Sequence, residues 1–477
     1  MMKTASRILC GVLSVIALCV LSSCEKEKKE YNEEEARIEA LKEVLSEAKY
    51  ELVGDETYTL IEMADLLYGK PDTDLLTVNP DNAREEFIKR NLEISESHKK
   101  DDQLLGGIAP FFHIFKFNYT SVDQMGNPIE LSAFMSAGSY LFDYTDQDHI
   151  YLVCPYTHTK EDECATKSDG GKEFLTFLST DNLFIMPDGQ GFGVNAGNVQ
   201  PYIDHNTQAK QIYDALIAGF HIYTNTYEGE MENDWTLRVI GASQGAGDAM
   251  AVHKYLDTNG YSAKFPGIGD IFFSYGDMMS FEYSYVCCGP YDPVATMEYY
   301  YSTRELEYPV VVPMVVKSML GCNPELARKY KESDFYTDKY NEHKAEFDNL
   351  YAKKTADADG INEKMAEYLN TESDKKILAD DDHVFIERIL NATVLDKNSQ
   401  ICKDFMACLS KQDLTKGWKP RTETYLYSSK GDHIVPPENT DELAELFNSC
   451  GVSCSVDWEM TDQGHILTCG KFMGLWW

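Results

Sequence analysis

The sequence has few basic residues for its length of 477: 43 lysines and arginines stand against 79 aspartates and glutamates, for a net charge of −36. Such a negative surface repels phosphate backbones, so nucleic acid is excluded as a favoured partner. Repeats with a period of about 20 to 50 residues are also lacking, which disfavours solenoids and propellers. With 43% hydrophobic and 26% charged residues, the composition is globular and allows one large domain with insertions or a few smaller ones.

Signatures of bound cofactors are lacking as well. We find no dinucleotide-binding fingerprint, no phosphate-binding loop and no metal-ligand spacing in the sequence. We therefore expect the protein to work without a cofactor and without a metal.

The N-terminus carries an apolar run that is too short for a comfortable membrane span. Lys3 and Arg7 precede the run, which covers residues 8–21, and this pattern is typical of a signal peptide. The following Leu21-Ser22-Ser23-Cys24 resembles a bacterial lipobox, which implies cleavage before Cys24 and its acylation. An ordinary secretory signal is the alternative. The resemblance implies a protein of the bacterial cell envelope, anchored in the outer membrane by lipid alone, with surface exposure left open.

Ten of the thirteen cysteines remain after residue 24. None has the spacing to histidines that a zinc site requires, so we interpret them as structural. An even number in an exported protein is compatible with disulfides. Cys154 with Cys164, and Cys402 with Cys408, are plausible short-range pairs, although sequence alone does not define the pairing.

Hydrophobic periodicity predicts a change of structure along the chain. Residues 31–105 have helical spacing, and a β-hairpin follows around the turn at Gly126. From residue 148 onwards, short apolar runs alternate with helical segments. Predicted strands cover 150–154, 183–186, 237–240, 283–288, 424–427 and 454–458, and predicted helices cover 171–178, 208–227, 244–257 and 439–448. This alternation indicates an α/β fold with a doubly wound, mostly parallel sheet.

A long, mostly helical block interrupts this alternation before the last two strands. It is too long for a simple crossover, so we expect a cap over the carboxyl ends of the strands, where ligands bind in such sheets. A side domain without a role in the site is the alternative. The predicted organisation is a signal peptide (1–24), a linker and helical segment (25–109), a core domain in two parts (110–289 and 421–477) and a helical cap (290–420).

The sequence Gly241-Ala242-Ser243-Gln244-Gly245 is the motif most indicative of chemistry. A predicted strand runs directly into it and a predicted helix follows, which is the context of a nucleophile elbow. The tight turn requires small residues on both sides and exposes the hydroxyl of Ser243 at the edge of the sheet. The helix N-terminus beside it favours developing negative charge.

A serine hydroxyl needs a base, and two later strand ends supply a suitable acid and base. Asp432 follows the strand at 424–427, and His465 follows the strand at 454–458. Asp432 would hold His465 in the correct tautomer. Asp292, after the fourth of these strands, is a rival acid, but it lies in a proline-bracketed turn. His433 adjoins the acid and points away from it, which disfavours it as the base.

Together these motifs resemble the α/β-hydrolase superfamily, most closely secreted bacterial esterases and lipases that carry a lid. The resemblance covers residues 110–477 and includes the segment Pro187-Asp188-Gly189-Gln190-Gly191-Phe192-Gly193. It implies a serine hydrolase that cleaves small carboxylic esters through an acyl-enzyme. A peptidase or amidase with the same fold is an alternative, although residues before 110 are too few for the propeller of prolyl-oligopeptidase-type enzymes. A non-catalytic, binding lipoprotein is the third hypothesis.

The same resemblance implies an oxyanion hole with two backbone donors. The N–H of Gln244 is the first, and we choose the N–H of Tyr156 as the second. Many members have His-Gly in that loop where this chain has Tyr156-Thr157. Asp188 is expected to be a structural turn residue.

Five tyrosines at the start of the cap could line a substrate pocket or simply pack the cap: Tyr291, Tyr299, Tyr300, Tyr301 and Tyr308. His158, His205 and His253 are expected in loops or at the surface because they fall early in the chain.

Overall fold

The computed structural model describes residues 50–68, 83–98, 111–140, 143–144, 149–167, 182–226, 235–259, 279–459 and 463–474. The predicted signal peptide, Cys24, the helix predicted from residue 31 and the helix predicted at 171–178 lie outside these residues. Within the part of the chain that is described, no helix has the length and apolarity needed to cross a membrane.

A ten-stranded sheet occupies the centre of the described structure. Its strands are β1 (Tyr50–Thr59), β2 (Phe111–Val122), β3 (Pro128–Tyr140), β4 (Asp143–Tyr144), β5 (His149–Cys154), β6 (Asn182–Pro187), β7 (Trp235–Ala242), β8 (Met279–Cys287), β11 (Glu423–Ser429) and β12 (Cys454–Glu459). In a separate two-stranded sheet, β9 (Glu305–Leu306) pairs with β10 (Val384–Phe385). The spatial order is β1-β2-β3-β6-β5-β7-β8-β11-β12, with β4 added to β3. The six strands from β6 to β12 are parallel, and the N-terminal strands pair antiparallel.

Helices connect these strands or belong to the insertion. They are α1 (Leu60–Tyr68), α2 (Ala83–His98), α3 (His205–Thr226), α4 (Gln244–Asn259), α5 (Pro293–Thr303), α6 (Val311–Cys322), α7 (Pro324–Lys329), α8 (Asp338–Lys353), α9 (Ala358–Leu369), α10 (Ile386–Ile389), α11 (Ala392–Leu395), α12 (Gln400–Leu409), α13 (Glu438–Cys450) and α14 (His465–Gly474).

The predicted fold class is confirmed. Each of the six predicted parallel strands is present within a few residues of its expected bounds. Their continuous apolar runs are explained by burial, since Ile150 and Leu152 of β5 and Ile185 of β6 have no exposed surface. The hairpin around Gly126 is also present, as β2 and β3.

The segment before residue 110 agrees only in part with the helical prediction, because Leu60–Tyr68 and Ala83–His98 are helices but the described residues before Leu60 are not. Tyr50–Thr59 forms an edge strand, with Tyr50 opposite Tyr119 and Thr59 opposite Phe111 of β2. Most of its side chains are exposed, so it lacks the hydrophobic alternation that marks a half-buried strand. The strand exists because its backbone groups pair with a segment far along the chain, which a local pattern does not reveal.

The insertion between β8 and β11 has a hydrophobic core of its own. Helices α5 to α12 contribute fully buried residues such as Val312, Phe347 and Phe405 to one cluster, and Phe335 joins it from the turn before α8. The same cluster includes Tyr202, which comes from the segment before α3. The insertion therefore packs both on itself and on the sheet domain.

The predicted disulfides are wrong: all ten cysteines that the structure describes are free thiols. Cys402 and Cys408 lie on the same helix, α12. Six residues of helix separate Cα atoms by about 9 Å, beyond the span of a disulfide. The thiol of Cys164 instead donates to the carbonyl oxygen of Glu161 at 3.0 Å.

Candidate active site

Ser243 lies in a tight turn between β7 and α4. Its φ of 56° is left-handed, which is uncommon for a residue other than glycine. A Cβ on Gly241 would collide with the backbone of Gly245, and one on Gly245 would collide with the backbone of Cys154. The N–H of Ser243 donates to the carbonyl oxygen of Cys287 at 2.8 Å, which ties the turn to β8. The predicted strand–turn–helix context is therefore present, and glycines are sterically required on both sides.

The three side chains predicted to act together are adjacent. The Oγ of Ser243 lies 2.8 Å from Nε2 of His465, and Nδ1 of His465 lies 2.7 Å from Oδ2 of Asp432. With the proton assigned to Nδ1, the imidazole donates to the carboxylate and accepts from the serine hydroxyl. Only 2% of His465 and 1% of Asp432 are exposed, so both interactions are shielded from solvent.

The turn after β11 holds Asp432 firmly. Its Oδ1 accepts hydrogen bonds from the N–H groups of Ile434 and Val435 at 3.0 and 2.8 Å. In addition, Ser429 Oγ donates to the carbonyl oxygen of Gln463 at 2.5 Å, which connects this turn to the segment that leads into His465. One carboxylate oxygen therefore fixes the loop while the other holds the imidazole.

The electrostatics of His465 are those of a base beside a buried anion. Burial alone would lower its pKa, but the Asp432 carboxylate opposes this effect, and the pKa of His465 is raised well above the usual value. A higher pKa means a stronger proton acceptor, provided that the pH is high enough for the ring to be neutral.

The rival acid and base have other partners. Asp292 caps α5, where its Oδ1 accepts from the N–H groups of Val294 and Ala295 at 2.8 and 3.1 Å. The Nδ1 of His433 lies 2.5 Å from the hydroxyl of Tyr299, away from the serine. Neither residue shares the hydrogen-bonded arrangement around Ser243.

The expectation that the early histidines lie in loops or at the surface is correct only for His158, which is in the loop after β5; His205 and His253 are helical, and all three are buried. His253, on α4, lies 2.8 Å from Ser284 Oγ and 3.2 Å from Asp257 Oδ2. Polar partners in neighbouring elements make this burial possible, and those partners are distant in sequence. Asp188 agrees with its predicted structural role, since Oδ2 accepts from Ser132 Oγ at 2.6 Å.

The predicted oxyanion donors border the same space as the serine. Gln244 is the first residue of α4, where backbone N–H groups have no partner within the helix. Tyr156 lies in the loop after β5, and both residues line the cavity that contains Ser243. The role of their N–H groups stays a prediction.

This cavity has a volume of about 450 Å³ and separates the sheet edge from the insertion. The sheet domain contributes Ser243, His465 and Tyr156, and the insertion contributes a largely apolar wall. That wall includes Met297, Tyr300, Tyr308, Val311, Val315 and Leu409. Of the five tyrosines considered from sequence, only Tyr300 and Tyr308 line the cavity.

Sequence reasoning missed several residues of the cavity. Val311 and Val315 belong to α6, whose apolar character was visible but did not indicate which face meets the serine. Glu163, Asp357 and Asp359 also border the cavity, although nothing in their sequence context distinguishes them from other acidic residues. Cys469 approaches Nε2 of His465 at 3.8 Å and was interpreted only as structural.

Comparisons with known proteins support the fold. No family model matches the sequence, and no curated protein matches it. Among solved structures, a ligand-bound form of the rice cell wall degrading esterase LipA from Xanthomonas oryzae is similar at 15% identity, with a TM-score of 0.60 over 89% of this chain and 96% of the esterase. A Legionella pneumophila protein provisionally described as a hydrolase is similar at 15% identity, with a TM-score of 0.59 over 90% of this chain and 96% of that protein. The chain therefore has the α/β-hydrolase fold.

Proposed function

We propose that the protein is a serine hydrolase that cleaves carboxylic esters through an acyl-enzyme. The observation that carries the proposal is the continuous hydrogen-bonded series from Ser243 through His465 to Asp432, with distances of 2.8 and 2.7 Å. This series opens into a largely apolar cavity that suits an uncharged substrate. The similarity to a structure named as an esterase supports ester hydrolysis over the binding-lipoprotein alternative.

The first half of the reaction forms the acyl-enzyme. Ser243 Oγ attacks the ester carbonyl while His465 Nε2 accepts the hydroxyl proton. Asp432 stabilises the resulting imidazolium. The N–H groups of Gln244 and Tyr156 would donate to the oxyanion, and the loss of one such donor typically lowers the rate by about 10² to 10³. As the intermediate collapses, His465 transfers its proton to the departing alcohol.

The second half regenerates the enzyme. His465 removes a proton from a water molecule, which attacks the acyl carbonyl, and the proton then returns to Ser243 Oγ as the acid product leaves. Both halves consist of proton transfers and nucleophilic attacks on a carbonyl carbon. The three side chains and the two N–H groups are sufficient for these steps.

The cavity favours an apolar acyl or alcohol group. The wall formed by the insertion presents valine, methionine and tyrosine side chains to the space above Ser243. The three carboxylic acids at its border, Glu163, Asp357 and Asp359, disfavour substrates that carry a negative charge. We therefore propose neutral esters as the substrate class, with the helical insertion acting as a substrate-selecting cap.

The direct test is Ser243→Ala, assayed with p-nitrophenyl butyrate. Turnover should fall by about 10⁶, as in serine hydrolases that lose the nucleophile. Ser455→Ala is the matched control, because Ser455 is an exposed serine of β12. A fluorophosphonate probe should label the unsubstituted protein and the control but not Ser243→Ala. Unchanged turnover in Ser243→Ala would refute the assignment.

We further propose that Cys24 is lipidated and anchors the enzyme in the cell envelope, as its lipobox-like sequence suggests. Cys24→Ser should move the protein from the membrane fraction to the soluble fraction of expressing bacteria. Retention of the Cys24→Ser protein in washed membranes would contradict the anchor.

A further inference from the structure

Three cysteine sulfurs converge beside the proposed catalytic base. Cys287 ends β8, Cys288 follows it directly, and Cys469 lies one helical turn after His465 on α14. The three Sγ atoms all lie within 4.8 Å of one another, and those of Cys287 and Cys469 are 3.9 Å apart. The Sγ of Cys469 is 3.8 Å from Nε2 of His465.

The backbone at Cys288 is unusual in a way that creates this convergence. Successive side chains of a strand point to opposite faces, so adjacent cysteines would ordinarily diverge. Cys288 instead has a φ of 51°, which breaks the alternation after β8. Its N–H donates to the carbonyl oxygen of Tyr427 at 3.1 Å, which holds it in this conformation. Left-handed conformations of non-glycine residues cost free energy and occur preferentially at functional sites.

The spacing matches the coordination shell of a tetrahedral metal ion. Zinc–sulfur bonds of about 2.3 Å place two sulfur ligands about 3.8 Å apart, and a histidine nitrogen would lie about 3.6 Å from each sulfur. The observed separations are 3.9 Å between Cys287 and Cys469 and 3.8 Å between Cys469 and His465. These two separations, from Cys287 to Cys469 and from Cys469 to His465, therefore match those of a coordinating set.

An entry path is also present. Cys469 lines the cavity that contains Ser243, so an ion that enters this cavity can reach the cluster. The thiol protons would leave as the metal replaces them.

We propose that Cys287, Cys288 and Cys469 form a binding site for a thiophilic divalent cation of the zinc type, with Nε2 of His465 as the fourth ligand. Binding converts the three thiols to thiolates and releases up to three protons, without any change of oxidation state. The site was not visible in the sequence because its ligands come from two distant segments, and neither has a conventional metal-ligand spacing.

Coordination of a metal ion by His465 would inhibit hydrolysis. The lone pair of Nε2 that binds the metal is the same one that would accept the proton of Ser243, so the two uses exclude each other. This consequence rests on the proposed function, whereas metal binding itself does not. The ion would act as a reversible inhibitor that is removed by a chelator.

The binding test uses Cd²⁺ and Zn²⁺ with the full chain, purified in the reduced state. We expect one ion per chain by equilibrium dialysis and an ultraviolet thiolate-to-cadmium charge-transfer band. Ser243→Ala should bind equally, which separates failure of the metal site from failure of the proposed function. Less than one ion per chain, or no charge-transfer band, would overturn the proposal.

The ligand test compares Cys287→Ser with Cys450→Ser, in which an exposed cysteine is replaced. Cys287→Ser should weaken Zn²⁺ binding by at least about tenfold, the lower end of the effect of losing even a supporting group. Cys450→Ser should bind like the unsubstituted protein. Zn²⁺ inhibition of p-nitrophenyl butyrate hydrolysis is measured relative to each variant's own metal-free rate. Equal affinity in Cys287→Ser would contradict the site.

Two further measurements keep the proposal testable if a variant does not fold. In the unsubstituted protein, Zn²⁺ should protect Cys469 from N-ethylmaleimide, as mapped by mass spectrometry, and equal labelling with and without Zn²⁺ would refute coordination. EDTA should restore activity after Zn²⁺ treatment. Recovery only with a thiol reductant would identify thiol oxidation instead and overturn the metal site.

Discussion

The two sides of the cavity are built in different ways. On the sheet side, the polar groups are fixed in place. Ser243 has a left-handed backbone between two glycines that are sterically required, and both carboxylate oxygens of Asp432 accept hydrogen bonds. On the insertion side, apolar side chains face the same space from helices with their own core. One wall is therefore constrained for bond chemistry, while the other tolerates changes of shape. We expect substitutions on the two sides to alter different kinetic parameters.

The largest expected effect comes from exchanging an acid on the sheet side. Asp432→Asn should lower kcat by about 10⁴ with little change in thermal stability, because an amide favours the wrong tautomer of the histidine. Turnover of p-nitrophenyl butyrate and the unfolding midpoint are the measurements. Asp292→Ala is the matched comparison at the start of the insertion, where loss of the helix cap should cost about 0.5 to 2 kcal/mol of stability. A comparable loss of kcat in Asp292→Ala would break the distinction between the two sides.

A change on the insertion side should alter selectivity. Val315→Phe narrows the cavity and should lower kcat/KM for long acyl esters relative to short ones by about 10- to 200-fold, the range expected for small volume changes in apolar pockets. A series of p-nitrophenyl esters of increasing length measures this effect. Val194→Phe, at an exposed valine, should leave the length preference unchanged. An equal loss of kcat/KM for every ester in the series would indicate that α6 supports the fold and does not select the substrate.

The pH dependence tests the electrostatics of the sheet side. His465 must be neutral to accept a proton, so kcat/KM should rise with pH and level off above its pKa in the free enzyme. Because the Asp432 carboxylate raises that pKa, the acid limb should lie above the value of about 6.5 for an isolated histidine, with about a tenfold loss per pH unit below it. A pH profile of kcat/KM measures this limb. A limb well below 6.5 would show that burial, and not Asp432, dominates.

The smallest effect on kcat is expected from a substitution in the insertion that lies outside the cavity. Thr337 caps α8: its Oγ1 accepts from the N–H of Tyr340 at 3.1 Å and donates to the carbonyl oxygen of Arg388 at 2.8 Å. Thr337→Ala should reduce the free energy of unfolding by about 0.5 to 2 kcal/mol and leave kcat within about twofold. Denaturant unfolding and steady-state kinetics are the measurements, and a large change in kcat would show that the insertion is coupled to the chemistry.

The sequence sufficed for the fold and for the residues around Ser243 because both depend on local rules. A strand, a turn of small residues and a helix occur within one short stretch around Ser243. Buried strands can be recognised by their continuous apolar runs. Asp432 and His465 could be located because the strands before them were recognisable. Their hydrogen bonds and roles follow only from three-dimensional placement.

Features that depend on distant pairing were not predictable. The strand at Tyr50–Thr59 has mostly exposed side chains and is defined by its partner β2. The burial of His253 depends on Ser284 in another element. The pairs Cys154–Cys164 and Cys402–Cys408 do not form, and no sequence pattern indicated that Cys287 and Cys469 meet, because that contact depends on how β8 and α14 pack. In each case the decisive neighbour lies far along the chain.

The hydrogen bond between Ser429 and Gln463 has a consequence for enzyme engineering. It joins the loop that bears the acid to the loop that bears the base, so the two loops form a single exchangeable module. A chimera that receives only one of them from a related enzyme would inherit mismatched loops, whereas transplanting both together should preserve their alignment.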